Sequence, residues 1–398
     1  MLTIEENKLE KYLAVSIACM ICTLRIATAV SEIACGIAVL LAILLWRNGK
    51  DNLSLSKDIR GYMKAYGVFL LCMVPSLIFS DNFAVSAKAY LGMGVWRYMP
   101  FVLVIFIRQR EYLINILTSY MAIASVDCMF ALAEVIKSGN QHLRAVGFEG
   151  NAQTLASILC MLLPIALVIL MDPRFETRLK KVASLTVVSA IVGLLCNKGR
   201  GAWLTELVVV PVAAFRYLKH NKKFLVAAIV IFVGIAGFML SNPYYVQRVQ
   251  SITNTKTDHS NVYRILGWKS AAAMIRDHPL IGVGQGRFKA HYKKYKSKQE
   301  KINLTHAHNN FVQVSVENGI IGLVGFLYFA LFYLYTSLRN YRKNKNPYDI
   351  LVFTTVLGYL CLFGQIEYSL GYGTGIRIMW FLLAMMLKLK ETEIKTTR

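Results

Sequence analysis

The sequence contains little charge, and few of its charged residues are acidic. Only 17% of the 398 residues are charged, with 22 Asp and Glu against 45 Lys and Arg. A typical soluble domain is about 25% charged and about 45 to 50% apolar, whereas this chain is 56% hydrophobic. This composition excludes a disordered tail and argues against an ordinary soluble enzyme.

Other absences narrow the function classes further. Residues 1–11 are polar and no small-residue cleavage site follows them, so we expect no removable signal peptide. No Asp-x-Asp pair occurs in the segments assigned below to the outer face, so we expect no bound metal and no cofactor. The eight cysteines all fall in apolar stretches, which indicates packing rather than a disulfide framework.

Twelve apolar stretches predict membrane-spanning helices, because about 20 residues at 1.5 Å each cross a ~30 Å hydrocarbon core. They are Tyr12–Leu24, Ile26–Trp46, Met63–Phe79, Ala89–Ile107, Tyr112–Ile136, Ala152–Met171, Val182–Cys196, Ala202–Tyr217, Phe224–Leu240, Phe311–Leu338, Tyr348–Ile366 and Ile378–Leu387. The first ends at Arg25, the fourth contains Arg97 and the last is short. We therefore predict an all-α polytopic membrane protein with about 12 transmembrane helices.

Lys and Arg in the short loops predict the orientation, since they are retained on the cytoplasmic side. With the amino terminus inside, 24 Lys and Arg lie in cytoplasmic segments and 7 in short outer loops. Both termini are therefore expected in the cytoplasm. The chain then divides into spans one to nine over 1–240, a large helical outer loop over 241–308, and spans ten to twelve with a cytoplasmic tail over 309–398.

The outer loop carries 12 Lys and Arg against three acidic residues. A helix is predicted over Asn261–Asp277, ended by Pro279. Gly282–Gly286 lacks the strand and helix that surround a dinucleotide site, so we expect no nucleotide. Over Arg287–Lys301, aromatic residues at helical spacing lie among lysines, which indicates either a surface anchor on anionic headgroups or a grip on a phosphorylated glycolipid. Nucleic acid is disfavoured because this loop faces outward.

His308 is the candidate for catalysis. An imidazole at the mouth of a membrane helix can titrate near neutral pH and can accept a proton from a hydroxyl. His306 and Asn309 lie beside it, and Asn309 can hydrogen-bond sugar hydroxyls or fix the ring tautomer. Glu317 lies about two and a half turns further along the predicted helix. A His that only caps the helix and faces headgroups is the alternative interpretation.

Two arginines on the same face suggest an anion site. Arg200 lies between Gly199 and Gly201, which allow close approach of the backbone to a bulky anion and leave the guanidinium free to bind phosphate bidentately. Arg264, on the predicted loop helix, is the second candidate. An arginine that only anchors a helix end is the common alternative. Together with His308, these arginines describe a site for displacing a diphosphate, whose charge arginine would stabilise in place of a metal.

These segments resemble the O-antigen ligase and polymerase superfamily, and most closely its lipopolysaccharide O-antigen ligases. The ligase pattern is a His, then Asn, Ser or Gln, nine residues, Gly, two residues, and Gly, Thr or Tyr. It is matched here by His308, Asn309, Gly319 and Gly322. Arg200, three residues before a Trp, matches the family's short-loop arginine, and Arg264 matches the arginine of its large-loop helix. The first half of the chain matches by span pattern alone.

The resemblance implies an inner-membrane glycosyltransferase of the type C architecture, with its site on the periplasmic face. It implies transfer of O-antigen polysaccharide from undecaprenyl diphosphate to a sugar hydroxyl of lipid A-core, with inversion and without metal or cofactor. Membrane lipids are the remaining expected partner. His308 would be the general base and Arg200 and Arg264 the diphosphate clamp, and the further candidate site residues are Arg144, Lys198, His306, Asn309 and Glu317.

Two other functions stay open on the sequence. An O-antigen polymerase or a protein O-oligosaccharyltransferase would use the same donor with a different acceptor. A flippase for lipid-linked oligosaccharide would need charge inside its helix bundle, and four ionisable residues do fall inside predicted spans: Arg97, Asp127, Glu134 and Glu206. Buried pairing of these four is the simpler interpretation, and a flippase requires no His-Asn site beside a basic outer loop.

Overall fold

The computed structural model describes residues 4–48, 55–296 and 303–396, and the regular secondary structure of this part of the chain is helical, without a strand. Its α-helices are α1 (Ile4–Thr23), α2 (Thr28–Asn48), α3 (Lys57–Ile78), α4 (Phe83–Leu91), α5 (Met99–Val104), α6 (Arg110–Ser138), α7 (Ala152–Met171), α8 (Thr177–Asn197), α9 (Arg200–His220), α10 (Lys222–Ser241), α11 (Pro243–Gln250), α12 (His259–Asp277), α13 (Phe288–Tyr295), α14 (Asn310–Asn344), α15 (Pro347–Thr355) and α16 (Gly373–Thr396). A π-helical and a 3₁₀ turn extend α15 to Gln365.

Nine helices of the described residues are long and apolar enough to cross a membrane: α2, α3, α6, α7, α8, α9, α10, α14 and the extended α15. They correspond to nine of the twelve predicted spans. The prediction of an all-α, multi-pass membrane protein is therefore confirmed. The first predicted span lies in α1 and the last lies in α16, a helix of 24 residues.

The fourth predicted span, Ala89–Ile107, is wrong as a single helix. α4 passes into a π-helical turn over Gly92–Trp96, and α5 begins separately at Met99. Pro100 lies in the first turn of α5, where its missing N–H costs no helical hydrogen bond. At the break, Arg97 Nη1 donates to the carbonyl of Leu370 at 2.7 Å, so the arginine binds the neighbouring chain segment instead of facing lipid.

Short polar side chains fix where many of the helices begin. Each accepts a hydrogen bond from a backbone N–H of the first turn, which has no partner inside the helix. The caps with such a bond are Ser56, Asn82, Asn151, Asn221, Asn242, Asp258, Asn309 and Asn346. Two of these caps, Asp258 and Asn309, also contact the site described below.

The transmembrane core is built around α7 and α16. Most side chains of α7 are buried, and α16 packs against α5, α6, α7 and α15. Trp380 of α16 is fully buried among the rings of Tyr66, Tyr98, Phe329 and others. α10 is the opposite case, because none of its residues is buried and it packs mainly on α9 and α11.

The segment between α10 and α14 has its own small hydrophobic cluster. The helix predicted over 261–277 is confirmed as α12, which begins two residues earlier. The predicted membrane-facing aromatic edge is wrong, because Phe288 and Tyr292 of α13 are each 1% exposed and belong to this cluster. The neighbouring Lys289, Lys293 and Lys294 are exposed. Other residues of the predicted sequence patterns lie outside the described part of the chain: Lys50, Lys298, Lys301 and Arg398.

The glycine-rich run, Gly282–Gly286, packs against a break in α14. At Gly319 the helix has φ 61° and ψ −161°. The interrupted helix then bonds the run: the N–H groups of Val283 and Gly284 donate to the carbonyls of Val316 and Glu317 at 2.9 and 3.0 Å. Beyond the break, Ile320 N–H donates to the carbonyl of Pro279 at 2.9 Å.

The four ionisable residues inside predicted spans differ in their partners. Asp127 forms an ion pair with Arg25, and Glu134 accepts the backbone N–H groups of Val146 and Gly147 at 2.9 and 3.1 Å. Arg97 has the carbonyl partner given above. Both carboxyl oxygens of Glu206 are buried without a hydrogen-bond partner among the described residues. Among the described residues, an ion pair therefore accounts for Asp127 alone, while Glu134 and Arg97 bond backbone groups.

Candidate functional site

A buried carboxylate, Glu367, joins the two parts of the candidate site. It lies in the segment between α15 and α16 and is 1% exposed. Its Oε1 lies 2.7 Å from Nδ1 of His308, and its Oε2 lies 3.9 Å from Nη2 of Arg264. Gln153 Nε2 donates to Oε2 at 3.1 Å. Burial alone would raise the pKa of Glu367, but the hydrogen bond with His308 and the neighbouring His306 and Arg264 lower it below its usual value.

His308 lies directly before the N-terminus of α14 with its side chain 28% exposed. Its backbone has φ 50°, a left-handed conformation that costs a non-glycine residue on the order of 1–2 kcal/mol. Asn309 follows as the helix cap, accepting from Phe311 and Val312 N–H, while its Nδ2 donates to the carbonyl of Gln365 at 3.0 Å. Asn309 thus fastens the start of α14 to the segment that carries Glu367.

His306 is the third member of this cluster. Its ring lies 4.1 Å from the ring of His308, centroid to centroid, and its Nδ1 lies 3.6 Å from Oε1 of Glu367. Burial and the neighbouring His308 lower the pKa of His306 to about 4. His306, His308 and Glu367 place one ligand atom each within 4.8 Å of one another. Two His and a carboxylate are a donor set that could hold a transition metal.

A cavity of about 810 Å³, including its open mouth, adjoins Glu367. We call it the site cavity, and its polar lining residues are Arg144, Gln153, Arg200, Arg248, Ser260, Asn261, Arg264, Gln365 and Glu367. Four arginines therefore face one cavity, with Glu367 in its wall and Asp258 behind Arg200 as the nearby carboxylates. Such an excess of guanidinium groups suits a multiply charged anion.

Arg200 lies on the cavity wall but its guanidinium is not free, so that part of the sequence prediction is wrong. Nη1 and Nη2 donate to the two oxygens of Asp258, each at 3.1 Å, and Nη1 also donates to Ser251. Asp258 caps α12 through the N–H of Asn261. Arg200 thereby ties the start of α9 to the start of α12, which carries Arg264.

Arg264 is the less committed of the two predicted clamp residues. Nη1 donates to the hydroxyl of Ser260 at 3.2 Å, and Nε is buried without a partner among the described residues. Burial is the main cause that lowers its pKa, and the charge of Glu367 opposes this effect. An unsatisfied buried N–H is costly, and the Nε–H of Arg264, a lining residue of the site cavity, has no partner among the described residues.

Arg144 and Arg248 complete the cationic wall. Arg144 Nε donates to the carbonyl of Asn197 at 3.1 Å, and Arg248 Nε donates to the carbonyl of Lys198 at 3.2 Å. Burial and the charges of Arg248 and Arg200 lower the pKa of Arg144 to about 10. Repulsion between these arginines is relieved when an anion enters the cavity.

Five of the predicted site residues do not line the site cavity: His306, His308 and Asn309 adjoin Glu367 or its segment, whereas Lys198 and Glu317 lie apart from it. Lys198 is buried, and its Nζ donates to the carbonyls of Gln141 and Leu143, where it supports the loop that carries Arg144. Glu317 accepts the N–H of Phe288 at 3.2 Å from within α14. These contacts give Lys198 and Glu317 supporting positions and bring neither to the wall of the site cavity.

Sequence reasoning missed Glu367 and Arg248. Glu367 directly follows predicted span eleven at the outer face, and an acidic residue at that place was the available signal. Arg248 was counted only as one of the loop's 12 basic residues. Nothing in the sequence around Arg248 distinguishes it, because its proximity to Arg200 and Arg144 depends on how α11 packs in the folded chain.

Comparison with known proteins identifies what the chain resembles. Residues 185–327 match the family described as O-antigen ligase. An uncharacterized protein of Haemophilus influenzae is 25% identical over 179 residues, which cover 41% of this chain and 44% of that protein. A Rickettsia conorii protein provisionally named polysaccharide ligase is 28% identical over 144 residues, covering 34% of this chain and 33% of that protein. The matches thus span less than half of either relative. The predicted resemblance to the O-antigen ligase and polymerase superfamily is confirmed.

Proposed function

We propose, on the premise of this resemblance, that the chain is an O-antigen ligase. It would transfer O-antigen polysaccharide from undecaprenyl diphosphate to a sugar hydroxyl of lipid A-core. The observation that carries the proposal is the buried Glu367, which contacts both His308 and Arg264. Displacement of a diphosphate by a hydroxyl requires a proton acceptor and a group that binds the leaving anion. Glu367 contacts a candidate for each.

His308 is the proposed general base. When its Nδ1–H donates to Glu367, Nε2 carries the free lone pair and can take the proton of the acceptor hydroxyl. That oxygen then attacks the anomeric carbon while the bond from this carbon to the diphosphate oxygen breaks. The electron pair leaves with the diphosphate, and attack from the opposite side inverts the anomeric configuration. Glu367 stays ionised and orients the ring.

The arginines of the site cavity form the proposed diphosphate clamp. The leaving group gains negative charge as the bond breaks, and donors placed beforehand stabilise that charge most effectively in a site shielded from water. Arg264, with its unused Nε–H, is the central member, and Arg200, Arg144 and Arg248 supply the surrounding positive charge. Stabilisation of the leaving group by arginine is the basis on which we propose a reaction without a metal.

The proposed setting is the bacterial inner membrane with both termini in the cytoplasm and the site on the periplasmic face. The distribution of Lys and Arg among the short loops supports this orientation. The site cavity and His308 lie at the helix ends that carry α11–α13, the segment assigned to the periplasm. Undecaprenyl-linked donor and lipid A-core would then both reach the site from the membrane.

The decisive experiment is the lipopolysaccharide gel profile of a strain that lacks this gene. Loss of a ligase leaves bare core and accumulates carrier-linked O-antigen, whereas loss of a polymerase leaves one repeat on the core. A plasmid copy with His308→Ala should fail to restore the capped ladder, while a copy with His220→Ala, at the other end of α9, should restore it. Normal capping by His308→Ala would remove His308 from the mechanism, and a single-repeat profile would assign the polymerase reaction instead.

A further inference from the structure

A second large cavity lies beside the site cavity. It measures about 780 Å³ including its mouth, and its lining residues include Arg25, Trp96, Arg97, Glu149 and Arg377. We call it the acceptor-side cavity. None of its lining residues also lines the site cavity.

The two cavities share two walls, which places them at the same end of the helices. The loop between α6 and α7 contributes Arg144 to the site cavity and Glu149 to the acceptor-side cavity. The segment after α15 contributes Glu367 to the first, and the start of α16 contributes Gly373 and Thr374 to the second. Thr374 also donates to Glu149 at 3.0 Å, so the α6–α7 loop and the start of α16 are joined within the lining of the acceptor-side cavity. The segment that carries Glu367 is therefore flanked by both cavities.

The three guanidinium groups of the acceptor-side cavity differ in their partners, and Arg377 Nη1 pairs with Glu32 at 2.6 Å. Arg25 pairs with Asp127 and lies 3.6 Å from Glu149, yet its Nε is buried without a hydrogen-bond partner among the described residues. Arg97 makes no ion pair in the part of the chain that the structure describes, and its Nη1 bonds only a carbonyl. Arg97 therefore brings to the break between α4 and α5 a positive charge that no carboxylate of the described residues pairs with.

An aromatic ring completes the cavity. Trp96 is 42% exposed, and the guanidinium of Arg377 lies 5.3 Å from its ring centroid. Trp96 ends the π-helical turn over Gly92–Trp96, and such turns occur often at functional sites. Trp96 and Arg97, consecutive at the end of this turn, both line the cavity. An exposed indole beside guanidinium groups suits a sugar ring that carries an anionic group.

We propose that the acceptor-side cavity binds a phosphorylated sugar of the acceptor glycolipid. The inference rests on the proposed transferase function, which needs the acceptor hydroxyl and the donor diphosphate on two sides of one general base. Arg97 and Arg25 would bind the phosphate, and Trp96 would contact the face of the sugar. The donor diphosphate would occupy the site cavity, across the Glu367 segment.

The test measures equilibrium binding to purified full-length protein in lipid nanodiscs. The probes are phosphorylated lipid A-core, the same glycolipid after phosphatase treatment, and undecaprenyl diphosphate. Arg97→Gln should weaken binding of phosphorylated lipid A-core at least about tenfold, the scale of one lost charge-assisted hydrogen bond. It should leave undecaprenyl diphosphate within about twofold and abolish the preference for the phosphorylated glycolipid. Arg264→Gln should show the reverse pattern, and Arg178→Gln on an exposed helix end should change neither.

A second variant keeps the inference testable if Arg97→Gln does not fold. Trp96→Ala removes a partly exposed ring and should weaken both forms of the glycolipid while sparing undecaprenyl diphosphate. Unchanged glycolipid binding in these variants, or an equal loss for donor and acceptor, would overturn the acceptor-side assignment alone. A wild-type protein that binds neither probe would instead contradict the proposed transferase function.

Discussion

A carboxylate at 1% exposure remains ionised only where other groups replace its water shell, and this condition defines the role of Glu367. His308, Gln153 and Arg264 surround its two oxygens. The oxygen that meets His308 fixes which ring nitrogen carries the proton, and the other oxygen faces Arg264. We therefore expect a change at Arg264 in the site cavity to affect the orientation of His308 through Glu367.

Glu367→Gln tests this coupling. The amide keeps the size of the side chain but removes the charge that orients His308 and supports its protonated form, so we expect kcat to fall at least about a hundredfold. The KM values for donor and acceptor should change by less than about threefold. Glu367→Asp should recover part of the lost rate. Glu176→Gln is the matched control, because Glu176 is exposed and lies directly before α8, away from the site cavity.

Activity of the wild-type protein in EDTA distinguishes two roles of Glu367: orientation of His308 and metal binding. His306, His308 and Glu367 are close enough to share an ion, and a metal enzyme would lose its turnover in EDTA. We expect the wild-type rate to persist in EDTA, since arginine stabilises the leaving group in the proposed reaction. Loss of the wild-type rate in EDTA, restored by an added divalent ion, would make Glu367 a ligand instead.

At the scale of single elements, the break in α14 connects the glycine pattern to the site. Gly319 and Gly282 each lie against the backbone of the other's segment. A Cβ at Gly319 would lie 2.3 Å from the carbonyl carbon of Leu280, and a Cβ at Gly282 would lie 2.4 Å from the carbonyl carbon of Glu317. Both residues have positive φ. The number of residues between His308 and Gly319 therefore sets the length of the first part of α14, which connects the proposed base to the glycine-rich run.

Gly319→Ala should destabilise the protein. At φ 61° and ψ −161° the backbone lies in a region essentially confined to glycine, which costs alanine on the order of 1–3 kcal/mol, and the clash with a backbone carbonyl adds to that cost. The midpoint of thermal unfolding in detergent should fall clearly below that of wild type. Gly234→Ala in α10 is the matched control, because a Cβ there meets nothing within 4 Å and alanine favours the helix. Equal midpoints for the two variants would contradict the structural role of the break.

The sequence predicts those elements whose signal is local. Apolar length predicts the nine long spans, and the Asn261–Asp277 periodicity with Pro279 predicts α12. Local patterns fail where a contact from distant sequence decides the outcome. Arg97 joins a break in its own helix to Leu370, 273 positions away, and Phe288 and Tyr292 are covered by residues of α12 and α14 rather than by lipid. Glu367 was missed for the same reason, since its partner His308 lies 59 positions earlier.

At the scale of the whole molecule, the net charge of +23 divides by position. Of the basic residues in the short loops, the predicted spans assign 24 to one end of the helices and 7 to the other, and Arg144, Arg200, Arg248 and Arg264 face a single cavity. Charges that orient a chain need only lie near helix ends, whereas these four are held by specific hydrogen bonds. Lys289, Lys293 and Lys294 of α13 are exposed.

The proposed orientation makes a prediction for the whole chain in its membrane. Lys289→Cys, exposed on α13, should react with a membrane-impermeant maleimide in intact spheroplasts, because its segment is assigned to the periplasm. Lys181→Cys, exposed near the start of α8, should react only after permeabilisation. The eight native cysteines lie in helices, and the wild-type chain measures their background. Labelling of Lys181→Cys but not Lys289→Cys in intact spheroplasts would invert the topology. The four cavity arginines would then face the cytoplasm, and the periplasmic site would be excluded.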